Sequence, residues 1–166
     1  MSDRSSIGIQ VGLASQQLVL LENGRALMRY PVSTALLGAG EQSGSEQTPR
    51  GRHVIRARIG TGLQEGAVLV GRRPTGEIWS PELAARFAGR DWILTRILWL
   101  SGCEVGRNRL GPVDSMRRFI YIHGTPEADS IGVPASHGCV RMTNADVMDL
   151  YDRVIVGTLV DIEEEA

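Results

Sequence analysis

The chain has 166 residues, of which 42% are hydrophobic and 22% charged, and its formal net charge is −1 at pH 7. That length suits a single domain, residues 1–166, able to bury roughly two-thirds of its unfolded surface around one core. Near-neutral charge excludes a general attraction to nucleic acid or anionic membrane, and no apolar run approaches the roughly 20 residues that span a bilayer; neither a nucleic-acid partner nor membrane insertion is expected.

In chain order, Ile7-Gly8-Ile9-Gln10-Val11 alternates apolar with other residues, which reads as strand rather than signal peptide, and a cytoplasmic location is expected from it. Leu18 to Leu21 and Arg25 to Val32 flank Asn23-Gly24. Both central residues of a type I′ turn need positive φ, so this pattern predicts a β-hairpin. Gly38 to Arg52 has a loop composition, closed by Thr48-Pro49-Arg50-Gly51 before the strand-like His53-Val54-Ile55. Pro81 opens a short helix through Phe87 that Gly89 stops. Trp92 to Leu100 and Phe119 to Ile122 are rich in β-branched and aromatic residues and read as strands. Thr143, followed three residues later by Asp146, begins a helix whose apolar face is Val147, Leu150, Tyr151 and Val154. Val154 to Ile162 is strand-like around Gly157, and Glu163-Glu164-Glu165 is a solvated end. The two cysteines, Cys103 and Cys139, lie far apart with no C-x-x-C pattern, so neither a disulfide framework nor a zinc-finger signature is present.

Chemistry concentrates in Tyr121-Ile122-His123-Gly124-Thr125 and Ser136-His137-Gly138-Cys139-Val140-Arg141-Met142. A strand ending at His123 presents its imidazole at a sheet edge. Gly138 lets the backbone turn sharply before Cys139 with its amides open to an oxyanion. A free thiol near pKa 8.5 is only about 3% thiolate at pH 7, so a nucleophilic cysteine is expected to need a neighbour that lowers its pKa. Each residue also has a plainer reading. Cys139 can be a small buried hydrophobe, His123 a hydrogen-bonded core histidine, Arg141 a surface ion pair, and Thr125 and Ser136 turn hydroxyls. Trp79, Trp92 and Trp99 read as core, and Cys103 as structural, in a loop that could border the cleft.

His123-Gly124 followed by Ser136-His137-Gly138-Cys139-Val140-Arg141 resembles the signature of the YkuD-type L,D-transpeptidase family. The Asn23-Gly24 hairpin, the Thr48-Pro49-x-Gly51 turn and the final helix followed by Val156-Gly157-Thr158-Leu159-Val160 extend the likeness over nearly the whole chain. The resemblance implies a mainly β fold, a YkuD-like β-sandwich of mixed sheets with a few short helices. It implies peptidoglycan stem peptides or muropeptides as partners, and neither a metal nor another cofactor. By the same likeness, Cys139 would attack the carbonyl of the third stem residue and expel the terminal D-alanine, leaving a thioester. His123 would take the thiol proton, with the Gly124 carbonyl fixing its tautomer. The amides of His137, Gly138 and Cys139 would hold the oxyanion, Ser136 would shape the substrate site, and Arg141 would order it or attract a substrate carboxylate.

A cytoplasmic location favours water as acceptor, hence an L,D-carboxypeptidase of peptidoglycan recycling. The alternative is an L,D-transpeptidase that forms 3-3 crosslinks or exchanges D-amino acids. In another class stands a His/Cys metal-binding protein or a non-catalytic peptidoglycan-binding module, although structural zinc generally takes four ligands and His123, His137 and Cys139 supply three. Gly38 to Arg52 and Gly102 to Asp114 are the expected cleft walls.

Overall fold

The computed structural model describes residues 6–126 and 128–165. In chain order its elements are β1 (Ile7–Gly12), β2 (Gln17–Glu22), β3 (Arg25–Pro31), β4 (Gly51–Ile59), β5 (Ala67–Val70), β6 (Arg73–Ile78), α1 (Pro81–Arg86), β7 (Ile93–Gly102), β8 (Tyr121–Thr125), β9 (Val140–Thr143), α2 (Asn144–Arg153) and β10 (Leu159–Glu163). The fold is mainly β, as expected. All ten strands join one curled mixed sheet, in the order β3-β2-β1-β10-β4-β7-β5-β6, with β8 attached to β7 and β9 to β8. The β1–β10 and β8–β9 pairs are parallel.

The Asn23-Gly24 hairpin forms with φ of 52° and 79° at its two turn residues, the handedness that matches strand twist. Its register sets Leu18 against Tyr30 and Val11, and Leu20 against Met28 and Ile9, so one face of three strands is apolar. That face packs with Ile55, Leu98, Ile122 and Met142 against Val147, Leu150 and Tyr151 of α2. Helix α2 starts where the sequence places it, because Thr143 Oγ1 accepts the Asp146 N–H at 3.1 Å. Ser80 caps α1 likewise through the Leu83 N–H. Among the described residues no helix is long and apolar enough to cross a membrane.

The hairpin of β5 and β6 was not foreseen from the sequence. Its second strand, Arg73-Pro74-Thr75-Gly76-Glu77-Ile78, carries the two residues least suited to a sheet interior. It is tolerated because β6 pairs only with β5, at the sheet edge, where proline is confined when it occurs in a sheet. His53, fully buried on β4, sets its Nδ1 3.0 Å from the Gly51 carbonyl and its Nε2 2.8 Å from Ser115 Oγ. This clasp ties the central sheet to the segment that leads into β8.

Candidate active site

Strands β8 and β9 run parallel with His123 opposite Arg141. The strand does not end at His123: Gly124 and Thr125 go on to pair with Met142 and Thr143. His123 is therefore held inside the sheet, between β7 and β9, rather than at an edge, and is 1% exposed. It lines a cleft of about 390 Å³ together with Ser136, His137, Cys139 and Arg141. Residues that are 13 or more positions apart in the chain are brought together there.

His123 Nδ1 lies 2.7 Å from the carbonyl oxygen of its neighbour Gly124. A carbonyl only accepts, so this nitrogen carries the proton and Nε2 keeps the lone pair. Gly124 has no room for a side chain. A Cβ there would come within 2.5 Å of Asn144 Oδ1 and 2.6 Å of the Leu94 carbonyl, so β7 and α2 pin the peptide that orients the imidazole.

Cys139 is half-buried. Its Sγ accepts the Tyr121 N–H at 3.3 Å, and its S–H donates to the Phe119 carbonyl at 3.3 Å. The preceding Gly138 has φ of 135°, a conformation that L side chains rarely adopt. Its carbonyl accepts from Thr48 Oγ1 at 2.9 Å, so the Thr48-Pro49 turn buttresses the cysteine from behind. Ser136 Oγ closes the turn from within, donating to the Cys139 carbonyl at 2.6 Å and accepting the Gly138 N–H at 3.2 Å. With the Gly138 amide so engaged, the adjoining amides of His137 and Cys139 are the donors an oxyanion would draw on.

Burial pushes the Cys139 thiol up to about 11, against the opposing Tyr121 N–H. Burial likewise lowers His123 to about 4, although the Gly124 carbonyl favours its charged form. At rest the cleft thus holds a neutral thiol and a neutral imidazole. This reverses the expectation of a depressed thiol pKa, because desolvation outweighs the nearby dipoles and charges.

Three charged cleft residues escaped the sequence reading: Arg72, Asp91 and Arg118. Asp91 Oδ1 accepts from Arg141 Nη2 at 3.2 Å, which orders a guanidinium that is itself almost buried. Arg118 donates to the carbonyls of Gly40, Glu41 and Gln47 and to Ser45 Oγ. The Gly38 to Arg52 loop therefore braces the cleft through Arg118 instead of walling it. Gly102 to Asp114 stays off it too. The wall is the Gly71-Arg72 turn between β5 and β6, which lines the cleft together with Arg118 and Phe119. Cys103 is exposed and borders a separate depression with Arg52, Glu104 and Asp161. Trp92 is core, and Trp99 lies behind the cleft, its indole N–H donating to the Met116 carbonyl. Among the described residues no three His, Cys, Asp or Glu side chains gather to hold a metal ion.

Two buried neutral histidines make stability pH-dependent. His53 is held near 4 by burial, with the Gly51 carbonyl opposing, and His123 near 4 in the same way, whereas both return to about 6.5 on unfolding. Below pH 6.5 the unfolded chain binds protons that the folded chain refuses. Their contribution is full above about 6.5 and is lost as the pH falls toward 4, by roughly several kcal/mol in total. Urea unfolding midpoints at pH 7.5, 5.5 and 4.5 should drop steadily; a flat profile would contradict neutral burial.

A mixed sheet that delivers a tautomer-fixed histidine and a glycine-turn cysteine into one cleft has the parts of a Cys–His acyl-transfer site. The chain belongs to the L,D-transpeptidase family: the YkuD model, an L,D-transpeptidase catalytic domain, matches residues 6–162. A Bacillus licheniformis protein named as the L,D-transpeptidase YkuD is 29% identical over 154 residues, 93% of this chain and 64% of that protein. Escherichia coli YbiS, named as an L,D-transpeptidase, is 46% identical over 48 residues, 29% of this chain and 16% of YbiS. The chain thus spans less than two-thirds of the length of these relatives. The L,D-transpeptidase LdtMt1, solved in complex with imipenem, shares the fold with a TM-score of 0.57 at 16% identity, over 96% of this chain and 59% of that one.

Proposed function

We propose that the chain cleaves the bond between the L-centre of the third residue and the terminal D-alanine of peptidoglycan stem tetrapeptides, as an L,D-carboxypeptidase. Cys139 Sγ attacks the carbonyl carbon while its proton passes to His123 Nε2. The C–S bond forms, the C–N bond breaks, and the imidazolium returns the proton to the departing D-alanine amine. Water, deprotonated by the same imidazole, then cleaves the thioester and regenerates the thiol. The observation that carries this reading is the Nδ1–H bond to the Gly124 carbonyl, which leaves Nε2 basic in the cleft that also holds Cys139. An acceptor amine must be concentrated and positioned to compete, whereas water is present at about 55 M.

Purified enzyme incubated with a defined tetrapeptide should release tripeptide and free D-alanine, even with an excess of D-amino acid or of a second tetrapeptide. Predominant dimers or exchanged tetrapeptides would assign crosslinking or exchange instead. Cytoplasmic action on soluble stem peptides is part of the proposal, and recovery of the native protein from the periplasm would remove it.

The site should also be acylated by carbapenems. The strained lactam carbonyl takes the place of the scissile amide, ring opening retains the leaving nitrogen, and the thioester lasts. Intact-protein mass spectrometry after imipenem treatment should show one adduct, mapping to Cys139. Reduced, reactive enzyme that gains no mass would contradict a competent acylation site.

A further inference from the structure

The cleft holds three guanidinium groups, Arg72, Arg118 and Arg141, and one carboxylate, Asp91. Arg141 is matched by Asp91, and both terminal nitrogens of Arg118 are taken up by loop carbonyls and the Ser45 hydroxyl. Arg72 differs. It sits in the two-residue turn between β5 and β6 with φ of 65°, directly after Gly71 at 55°, and these positive values carry its side chain over the cleft wall. Its guanidinium carbon lies 4.6 Å from the ring centroid of Trp99 and 5.0 Å from that of Phe119. Nη1 donates to the Tyr121 hydroxyl at 3.0 Å. Aromatic faces and one hydrogen bond thus fix the plane of the fork. Among the described residues no carboxylate forms an ion pair with it. A half-buried, oriented guanidinium with an edge left over is suited to grip a carboxylate with two parallel hydrogen bonds.

We propose that Arg72 is the specificity determinant that binds the terminal α-carboxylate of the peptide cleaved at Cys139, which restricts the site to C-terminal residues; this deepens the acyl-transfer reading above and rests on it. Tyr121 is the second partner, since burial raises its pKa and keeps its hydroxyl protonated as a donor. The nearest anion to the scissile bond of a stem tetrapeptide is the carboxylate of the D-alanine that leaves. Arg141, already engaged by Asp91, serves to order the site.

The test separates binding from chemistry. In a Cys139→Ala background, calorimetry should show the tetrapeptide binding about tenfold to a hundredfold more tightly than the same peptide with a C-terminal carboxamide. Adding Arg72→Gln should erase that preference, and Arg72→Lys should restore part of it as a single point charge. In the active enzyme, Arg72→Gln should raise KM for the acid with a smaller change in kcat, and lower kcat/KM for the acid far more than for the carboxamide. Equal binding of acid and amide to Cys139→Ala, or a preference that survives Arg72→Gln, would overturn the assignment. The acid–amide comparison needs no change at Arg72, so it holds even if a turn variant folds badly. A preference that depends on Arg72, in an enzyme that turns over neither peptide, would uphold the carboxylate site and overturn the acyl-transfer reading.

Discussion

Replacing Cys139 with alanine should abolish turnover of tetrapeptide, by roughly 10⁴-fold or more, while the protein stays folded. The change removes the attacking sulfur and two weak contacts, to the Tyr121 N–H and the Phe119 carbonyl. Those contacts and the small volume amount to about 1 kcal/mol of stability, too little to unfold a domain. Cys103→Ala is the control, because Cys103 is exposed and borders another depression. It should keep most activity. Equal loss from both substitutions, with native-like circular dichroism, would mean that the sulfur in the cleft is not the nucleophile. With the thiol pushed to about 11 by burial, alkylation of the resting enzyme by iodoacetamide should need a higher pH than a free cysteine does. If the proposed acylation holds, imipenem should nevertheless label Cys139 near neutrality, because the lactam would occupy the cleft that also holds His123.

His123→Gln should slow acylation by about 10² to 10⁴-fold, the range expected when a positioned base is lost. Glutamine fills similar space and can still face the Gly124 carbonyl, but it has no lone-pair nitrogen to take the thiol proton. His53→Gln should leave kcat/KM nearly intact, since that ring is clasped between Gly51 and Ser115 and lines no part of the cleft. The pH profile gives an independent readout. Activity requires neutral His123, whose folded pKa is lowered to about 4, so the acid limb of kcat/KM should lie well below the ordinary histidine value near 6.5. Stopped-flow acylation by imipenem between pH 4 and 8 would show it. An acid limb at 6.5 would mean that the imidazole is solvated rather than buried.

What could be read along the chain depended on how local its cause was. The Asn23-Gly24 turn and the Thr143 cap act over two to four residues, and both elements stand where they were expected. His123, Gly124, Ser136, His137, Gly138, Cys139 and Arg141 were legible as a cluster because β8 and β9 carry or abut nearly all of them. Arg72, Asp91 and Arg118 reach the cleft from three other segments, and pairing across the sheet, with no sequence spacing to mark it, brings them in. Arg118 left one weak trace, a pair of arginines immediately before a strand-like run. The β5–β6 hairpin was hidden by Pro74 and Gly76, which argue against a strand unless it lies at an edge. The direction of the thiol pKa was out of reach for a related reason: it is set by burial, which only the folded chain defines.

The neutral resting pair also bears on chemical durability. Oxidants and disulfides react with thiolate far faster than with thiol, so a cysteine kept protonated is spared sulfenic acid formation and mixed disulfides between turnovers. Here the half-buried Cys139 donates its S–H to the Phe119 carbonyl, so under the proposed mechanism reactive thiolate would arise only when a bound carbonyl is there to receive it. On that mechanism nucleophilicity would be rationed by substrate, and the enzyme should outlast exposure to peroxide that inactivates cysteine enzymes built on a standing thiolate–imidazolium pair.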